Sequence, residues 1–254
     1  MKKLISLLIF LPVISLADSS NYYNPDLKNQ LERHSIKNDE LKGELFRLLS
    51  TTHKKATGYN TAKKYLFGQL SLKKDDRGYF ITDVYCHKDF TSGVGPGNIP
   101  DQNKINCEHT WPQSKFTNGF PNEMQKSDLH HLYPTDSKAN STRGNFNFAD
   151  VTENTSLGAD CQSSKSGPST IDGGKNYFEP PANHKGNVAR ALFYFSVRYK
   201  IHINKSEEEF LKRWNDLDPV DADEVYRNNE IEKIQGDRNP FIDFPSIAHD
   251  VEDF

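Results

Sequence analysis

Apolar positions recur at helical spacing along much of this chain. Leu27 to Leu49 predicts helix, with Leu41, Leu45, Leu48 and Leu49 apolar and a break near Ser35. Thr61 to Leu70 predicts a second, short helix with Ala62, Tyr65, Leu66 and Leu70 along one side. Val188 to Ile201 is dense in apolar and aromatic residues and is the best candidate for a buried core helix. Ser206-Glu207-Glu208-Glu209 fits a capping box that opens a helix through Leu211 and Trp214. Asp221 to Gln235 predicts a further helix, with Gly236 as its C-terminal stop. Strand signals are fewer. Tyr79 to Cys86 is β-rich, residues 91–106 carry enough Gly and Pro to read as loop, and 150–180 is a long irregular stretch rich in Ser, Gly, Asn and Asp. The balance predicts an α+β class: one mainly helical domain with a small antiparallel sheet.

The first residues carry a different signal. Met1-Lys2-Lys3 is basic, Leu4 to Leu16 is apolar apart from Ser6 and Ser15, and Ser15-Leu16-Ala17 places small residues where a signal peptidase reads. We expect residues 1–17 to be a secretory signal, too short to span a bilayer as a mature helix, and 18–254 to be a single exported domain. No Cys follows the expected cleavage site to take a lipid, and no other stretch is long and apolar enough to cross a membrane. Loss of Lys2 and Lys3 takes the formal charge from −3 to −5. That excludes a protein that coats DNA with its whole surface, but leaves room for a local basic groove. The cysteines at 86, 107 and 161 match no zinc spacing. Export permits a disulfide. We expect Cys86 with Cys161, leaving Cys107 a buried thiol; the rival pair is Cys107 with Cys161.

The chemistry concentrates between 105 and 148. Glu108-His109 reads as the end of a strand. Leu132-Tyr133 can pair back as a second strand, which Pro134 is expected to end. Thr135 and Asp136 are candidate N-caps for a helix with Asn140 about one turn in. Such a strand–strand–helix finger would bring His109 and Asn140 to one groove. His109 can take a proton from water near neutral pH. Glu108 and Asn140 can offer oxygen to a hard cation of the Mg²⁺ type. Asp128 or a backbone carbonyl could hold the other ring nitrogen of His109, with His130 also behind the site. Arg143, three residues after Asn140, suits a phosphate by its forked geometry, and its alternative is an ion pair with Asp136 or Asp150.

The pieces Cys107-Glu108-His109-Thr110-Trp111-Pro112, Ser127-Asp128-Leu129-His130-His131-Leu132-Tyr133-Pro134 and Asn140-Ser141-Thr142-Arg143-Gly144-Asn145 stand in order. With Gln235-Gly236-Asp237-Arg238-Asn239-Pro240-Phe241-Ile242-Asp243, they resemble the bacterial endonuclease I family over roughly residues 40–245. The resemblance implies a ββα-metal, or His-Me finger, core. It implies single-metal cleavage of double- and single-stranded DNA, and of RNA, with little sequence preference and 5′-phosphate products. It makes His109 the base and Glu108 and Asn140 the ligands of Mg²⁺, with Mn²⁺ or Ca²⁺ as substitutes. The family's further phosphate-stabilising arginine falls on Arg143 or Arg238. Family disulfide maps do not transfer to a chain this poor in cysteine, and Lys126 stands where some members carry an acid. The expected protein is a monomeric, periplasmic or extracellular endonuclease that contacts no membrane. The alternatives are an exported nucleic-acid-binding protein without turnover and a zinc hydrolase using His109, His130 and His131.

Overall fold

The structure, a computed structural model, describes residues 21–54, 58–152, 157–169 and 174–254. The expected signal segment lies outside the described residues. The Leu27–Leu49 pattern forms two helices, α1 (Pro25–Glu32) and α2 (Asn38–Thr52), with the break where Ser35 suggested it. Asn24 caps α1 by accepting from the Leu27 amide, and Pro25 occupies the first helical position, where its missing N–H costs nothing. Leu41, Leu45 and Leu49 form the buried stripe of α2.

α3 (Tyr59–Tyr65) widens into one π turn over Leu66–Leu70. Gly68 in that turn abuts Gly97: a Cβ there would stand 2.3 Å from the Gly97 nitrogen, so only glycine fits. Strands β1 (Lys73–Asp75), β2 (Gly78–Thr82) and β3 (Asp89–Phe90) make a small antiparallel sheet. The strand expected over 79–86 therefore ends at Thr82. The cause is Asp83, whose buried carboxylate accepts from the amides of Tyr85, Cys86 and Lys88 and curls the chain into a turn.

β4 (Ile105–His109) pairs antiparallel with β5 (Leu132–Asp136), from Ile105 opposite Asp136 to His109 opposite Leu132. Between them lies the short α4 (Asn122–Ser127), and α5 (Ser137–Arg143) follows directly. Pro134 does not end β5. It faces Cys107, and its carbonyl points away from β4 to accept from the Val84 amide. Its nitrogen faces the same way, so the ladder loses no bond.

β6 (Lys165–Pro168) and β7 (Asn176–Glu179) form a third antiparallel pair inside the stretch expected to be irregular. Among the described residues the expected small sheet is thus three separate ones, and the class is α+β. α6 (Lys185–Tyr199) is the central helix, buried almost all round. It stops at Tyr199, short of the expected Ile201, because Lys200 turns left-handed with φ 51°. α7 (Lys205–Leu217) packs on it, capped by Asn204 and not by Ser206. The expected box of Ser206 with Glu209 therefore does not form, and Glu207 accepts from the Phe148 amide. α8 (Ala222–Gln235) ends at Gly236 with φ 96°, as its pattern indicated, and α9 (Pro240–Asp243) closes against α6.

The main core gathers around α6. A second core, with Leu66, Phe67, Ile81, Ile105, Leu129 and Leu132, lies behind the β4–β5 hairpin. Cys86 and Cys161 are joined, and Cys107 is free and buried, as expected. The bridge spans 75 residues, which predicts a contribution of about 4 kcal/mol from the restricted unfolded chain. Urea unfolding of Cys86→Ala/Cys161→Ala should show a clearly lower midpoint than the native protein, and equal midpoints would sink the prediction.

Candidate active site

Glu108 and His109 sit at the end of the β4–β5 ladder, just before the chain bends through Thr110-Trp111-Pro112. β5 runs straight into α5, where the Asp136 carboxylate caps the amides of Lys138 and Ala139. Asn140 therefore lies one turn along α5, over β4. Its Nδ2 donates to Asn106 Oδ1 (2.8 Å) and to the Cys107 carbonyl (3.3 Å), which leaves Oδ1 as its free acceptor. Glu108, His109, Gln113, Asn140 and Arg143 all line one open cavity of about 430 Å³. The hairpin and its helix thus bring together the three residues singled out in the sequence.

His109 is held by its back nitrogen. Its Nε2 lies 3.1 Å from the Lys126 carbonyl, which can only accept, so Nε2 carries the hydrogen and Nδ1 carries the lone pair. The sole protein contact of Nδ1 among the described residues is a long 3.3 Å one from the Gln113 amide. Burial pushes the His109 pKa well below its usual value, and the neighbouring His131, Lys126 and Arg143 further disfavour a second positive charge there. The ring is accordingly neutral at pH 7.

Glu108 is buried, and burial raises its carboxyl pKa. Arg143 Nη1 and the Tyr85 hydroxyl, each 2.9 Å from Oε1, work in the opposite direction. Both contacts fall on Oε1, and Glu108 is among the residues that line the cavity. An Asn amide and a carboxylate that line one open cavity offer oxygen of the hard type that Mg²⁺ accepts, and a site of this kind leaves most positions to water and substrate.

Several expected roles are corrected. Arg143 is not free to clamp a phosphate, and it does not pair with Asp136 or Asp150. Besides Glu108, its guanidinium donates to the carbonyls of His109 and Thr110 at 2.9 and 2.7 Å. Arg238 is buried, bidentate on Asp243 and bonded to Asn229 and Glu232. Asp128 does not orient His109; the Lys126 carbonyl does. Asp128 instead accepts from Tyr194, Tyr199 and Gln235, and His130 turns to the Asp237 carbonyl. Both act one step behind, by fixing the segment that carries Lys126. The zinc arrangement fails as well. Nε2 of His109, His130 and His131 points to three different carbonyls, and no three metal-ligating side chains gather among the described residues.

Tyr85, Asn106, Gln113 and Tyr59 were not foreseen. Tyr59 lays its ring 5.3 Å from that of His109. Tyr85 reaches Glu108 only because the Asp83 turn swings it inward, and no local pattern announces that contact. Gln113 follows the Glu-His-Thr-Trp-Pro run directly, so its place beside His109 was the most readable of the four.

Fold and site together define an α+β protein built on a β-hairpin-plus-helix finger with a neutral, anchored histidine at an open polar cavity. The family model for endonuclease I matches residues 37–246. The chain belongs to the endonuclease I family. An extracellular ribonuclease of Bacillus subtilis (strain 168) is 31% identical over 226 residues, which cover 80% of this chain and 73% of that protein. An extracellular deoxyribonuclease of Aeromonas hydrophila is 31% identical over 123 residues, 48% of this chain and 50% of that protein. Endonuclease-1 of Buchnera aphidicola subsp. Baizongia pistaciae (strain Bp) is 31% identical over 137 residues, 54% and 51% respectively. The matched stretch thus spans about half the length of these last two relatives.

Removing Arg143 would strand a buried carboxylate and two carbonyls. Arg143→Met is expected to cost about 3–5 kcal/mol of stability, whereas Lys138→Met on the exposed side of α5 should cost almost nothing. Denaturant curves decide this, and an Arg143→Met protein as stable as the native one would refute the brace.

Proposed function

We propose that this protein is an exported, Mg²⁺-dependent endonuclease of the His-Me finger type that hydrolyses DNA and RNA with little sequence preference. The observation that carries the reading is the state of His109: anchored through Nε2, neutral, with the Nδ1 lone pair in the cavity that Glu108 and Asn140 share. The names of the relatives support nucleic acid as substrate and export as destination, and among the described residues no helix is long and apolar enough to cross a membrane.

His109 Nδ1 accepts a proton from a water that attacks the phosphorus. The bond to the 3′ oxygen breaks, that oxygen is protonated by solvent, and the product carries a 5′-phosphate. The Lys126 carbonyl keeps the ring in the right tautomer and, as an acceptor, steadies the imidazolium that forms. Gln113 donates only weakly to Nδ1, so an incoming water can replace it. Glu108 and Asn140 would hold the ion, which when bound supplies positive charge to the phosphate and the departing oxygen. Arg143 offsets part of what burial costs the Glu108 carboxylate and aims it, and Asn106 keeps Asn140 from rotating its oxygen away. The base-catalysis contribution of a positioned histidine is about 10²–10⁴-fold.

Digestion of plasmid and of ribosomal RNA by residues 18–254 tests this. Native protein should cut both with Mg²⁺ and neither with EDTA. His109→Ala should lose at least about a hundredfold in rate, and Asn140→Ala should need far more Mg²⁺. A folded native protein that binds nucleic acid yet cuts with no divalent cation would hand the site to the binding-only alternative. Equal cutting by native and His109→Ala would remove His109 from the base role.

A further inference from the structure

A site for a polyanion needs cations at its mouth, because phosphate contacts supply most of the affinity that does not depend on sequence. Arg143 and Arg238 are consumed inside the protein. Two lysines beside the catalytic ring are not. Lys63 of α3 and Lys126 of α4 both bring their ammonium groups to the ring of Tyr59, 5.0 and 4.6 Å from its centre. That ring stands 5.3 Å from the His109 ring.

Tyr59 is a fixed support. Its amide donates to Glu123 Oε1 at 2.6 Å, and its hydroxyl lies by the buried Cys107 of β4. With two cations and an imidazole set against it, the ring serves to brace charge, and attraction to an aromatic ring localises an ammonium without neutralising it. Lysines elsewhere in the fold are neutralised in several places, Lys88 by Asp136 and Asp160, Lys185 by Asp150 and Glu179, and Lys212 by Glu208. Neither Lys63 nor Lys126 has an ion-pair partner among the described residues. In a chain of net charge −3, two ammonium groups without ion pairs thus share the aromatic ring that lies against the base. Lys126 is also the residue whose carbonyl holds His109 Nε2. One residue therefore ties the position of the base to the position of a phosphate-binding charge.

We propose that Lys63 and Lys126, braced on Tyr59, form the subsite for the backbone phosphate next to the scissile one, so that the enzyme grips a DNA or RNA strand by its phosphates and not by its bases. This rests on the nuclease reading of the same site. The subsite takes any phosphodiester strand, which accounts for how one cavity would serve both DNA and RNA.

The test is direct binding of a fluorescent 12-nucleotide strand and of its duplex, measured in the His109→Ala background so that nothing is consumed, over a range of salt. Lys63→Gln and Lys126→Gln should each weaken binding about fivefold, and each should flatten the slope of log K against log salt by about 0.9 on duplex and about 0.7 on single strand. The double variant should lose about twice that slope, and Lys126→Arg should keep the native slope. Lys73→Gln, which removes the same charge from the distant β1, controls for net charge. Melting curves confirm that each variant is folded. Slopes for the Lys63 and Lys126 variants equal to that of Lys73→Gln would overturn the subsite. Failure of the native protein to cut, with these slope changes intact, would overturn the nuclease reading and leave the subsite standing.

Discussion

The ion pair between Glu108 and Arg143 is the constraint around which the site is built. Both side chains are almost wholly removed from water. A carboxylate taken out of water costs several kcal/mol, and one partner alone seldom repays it. Here the repayment is distributed. Arg143 bonds Glu108 and the carbonyls of His109 and Thr110, and packs on the Phe148 ring; Tyr85 adds its hydroxyl. Each contact also fixes something the site needs. Arg143 locks the end of α5 onto the end of β4, so Asn140 and His109 keep one separation. Tyr85 is tied to the disulfide next to it, and its carbonyl is held by Ser164. Electrostatic necessity and catalytic geometry are met by the same atoms.

A second buried network supports the first from behind. Asp128 and Asp237 share Tyr194 and Gln235, and His53 stands 3.1 Å from Asp237. Burial would raise both carboxyl pKa values, yet His53 and His130 draw them below the usual range, while the two acids raise that of His53. The network joins the end of α2, the start of the segment after α8 and the residues leading into β5. It is remote from the cavity, but it holds the run 126–131 from which the His109 anchor comes. Removing one member would be felt as a displaced base before it was felt as lost chemistry.

The parts that were legible in the sequence share a local cause. Helix periodicity, the Gly236 stop, the Asp136 cap and the Asn140 placement depend on residues within a turn or two of each other. The Cys86–Cys161 pairing was expected too. What was not legible depends on partners distant in the chain. Nothing near Arg143 says that its fork will be spent on Glu108, and nothing near Arg238 says that Asp243 will take it. Pro134 misled for a subtler reason. Proline ends a strand only where its nitrogen faces the ladder, and the facing depends on a register that pairing with β4 decides. Asp83 likewise outweighed the β propensity of its neighbours, because a buried carboxylate must collect amides and bends the chain to do so.

Arginine and lysine are sorted in this fold by hydration. The guanidinium is planar, weakly hydrated and able to bond in several directions, so it tolerates the interior. Arg143, Arg190, Arg227 and Arg238 all lie buried, each on carboxylates or backbone carbonyls. The ammonium group is strongly hydrated and stays near water. A site assembled this way uses arginine as its internal skeleton and leaves lysine to meet a solvated polyanion. That division is why Arg143, although it lies within the finger, serves as a brace, while Lys63 and Lys126 on the neighbouring helices α3 and α4 hold their ammonium groups over an aromatic ring.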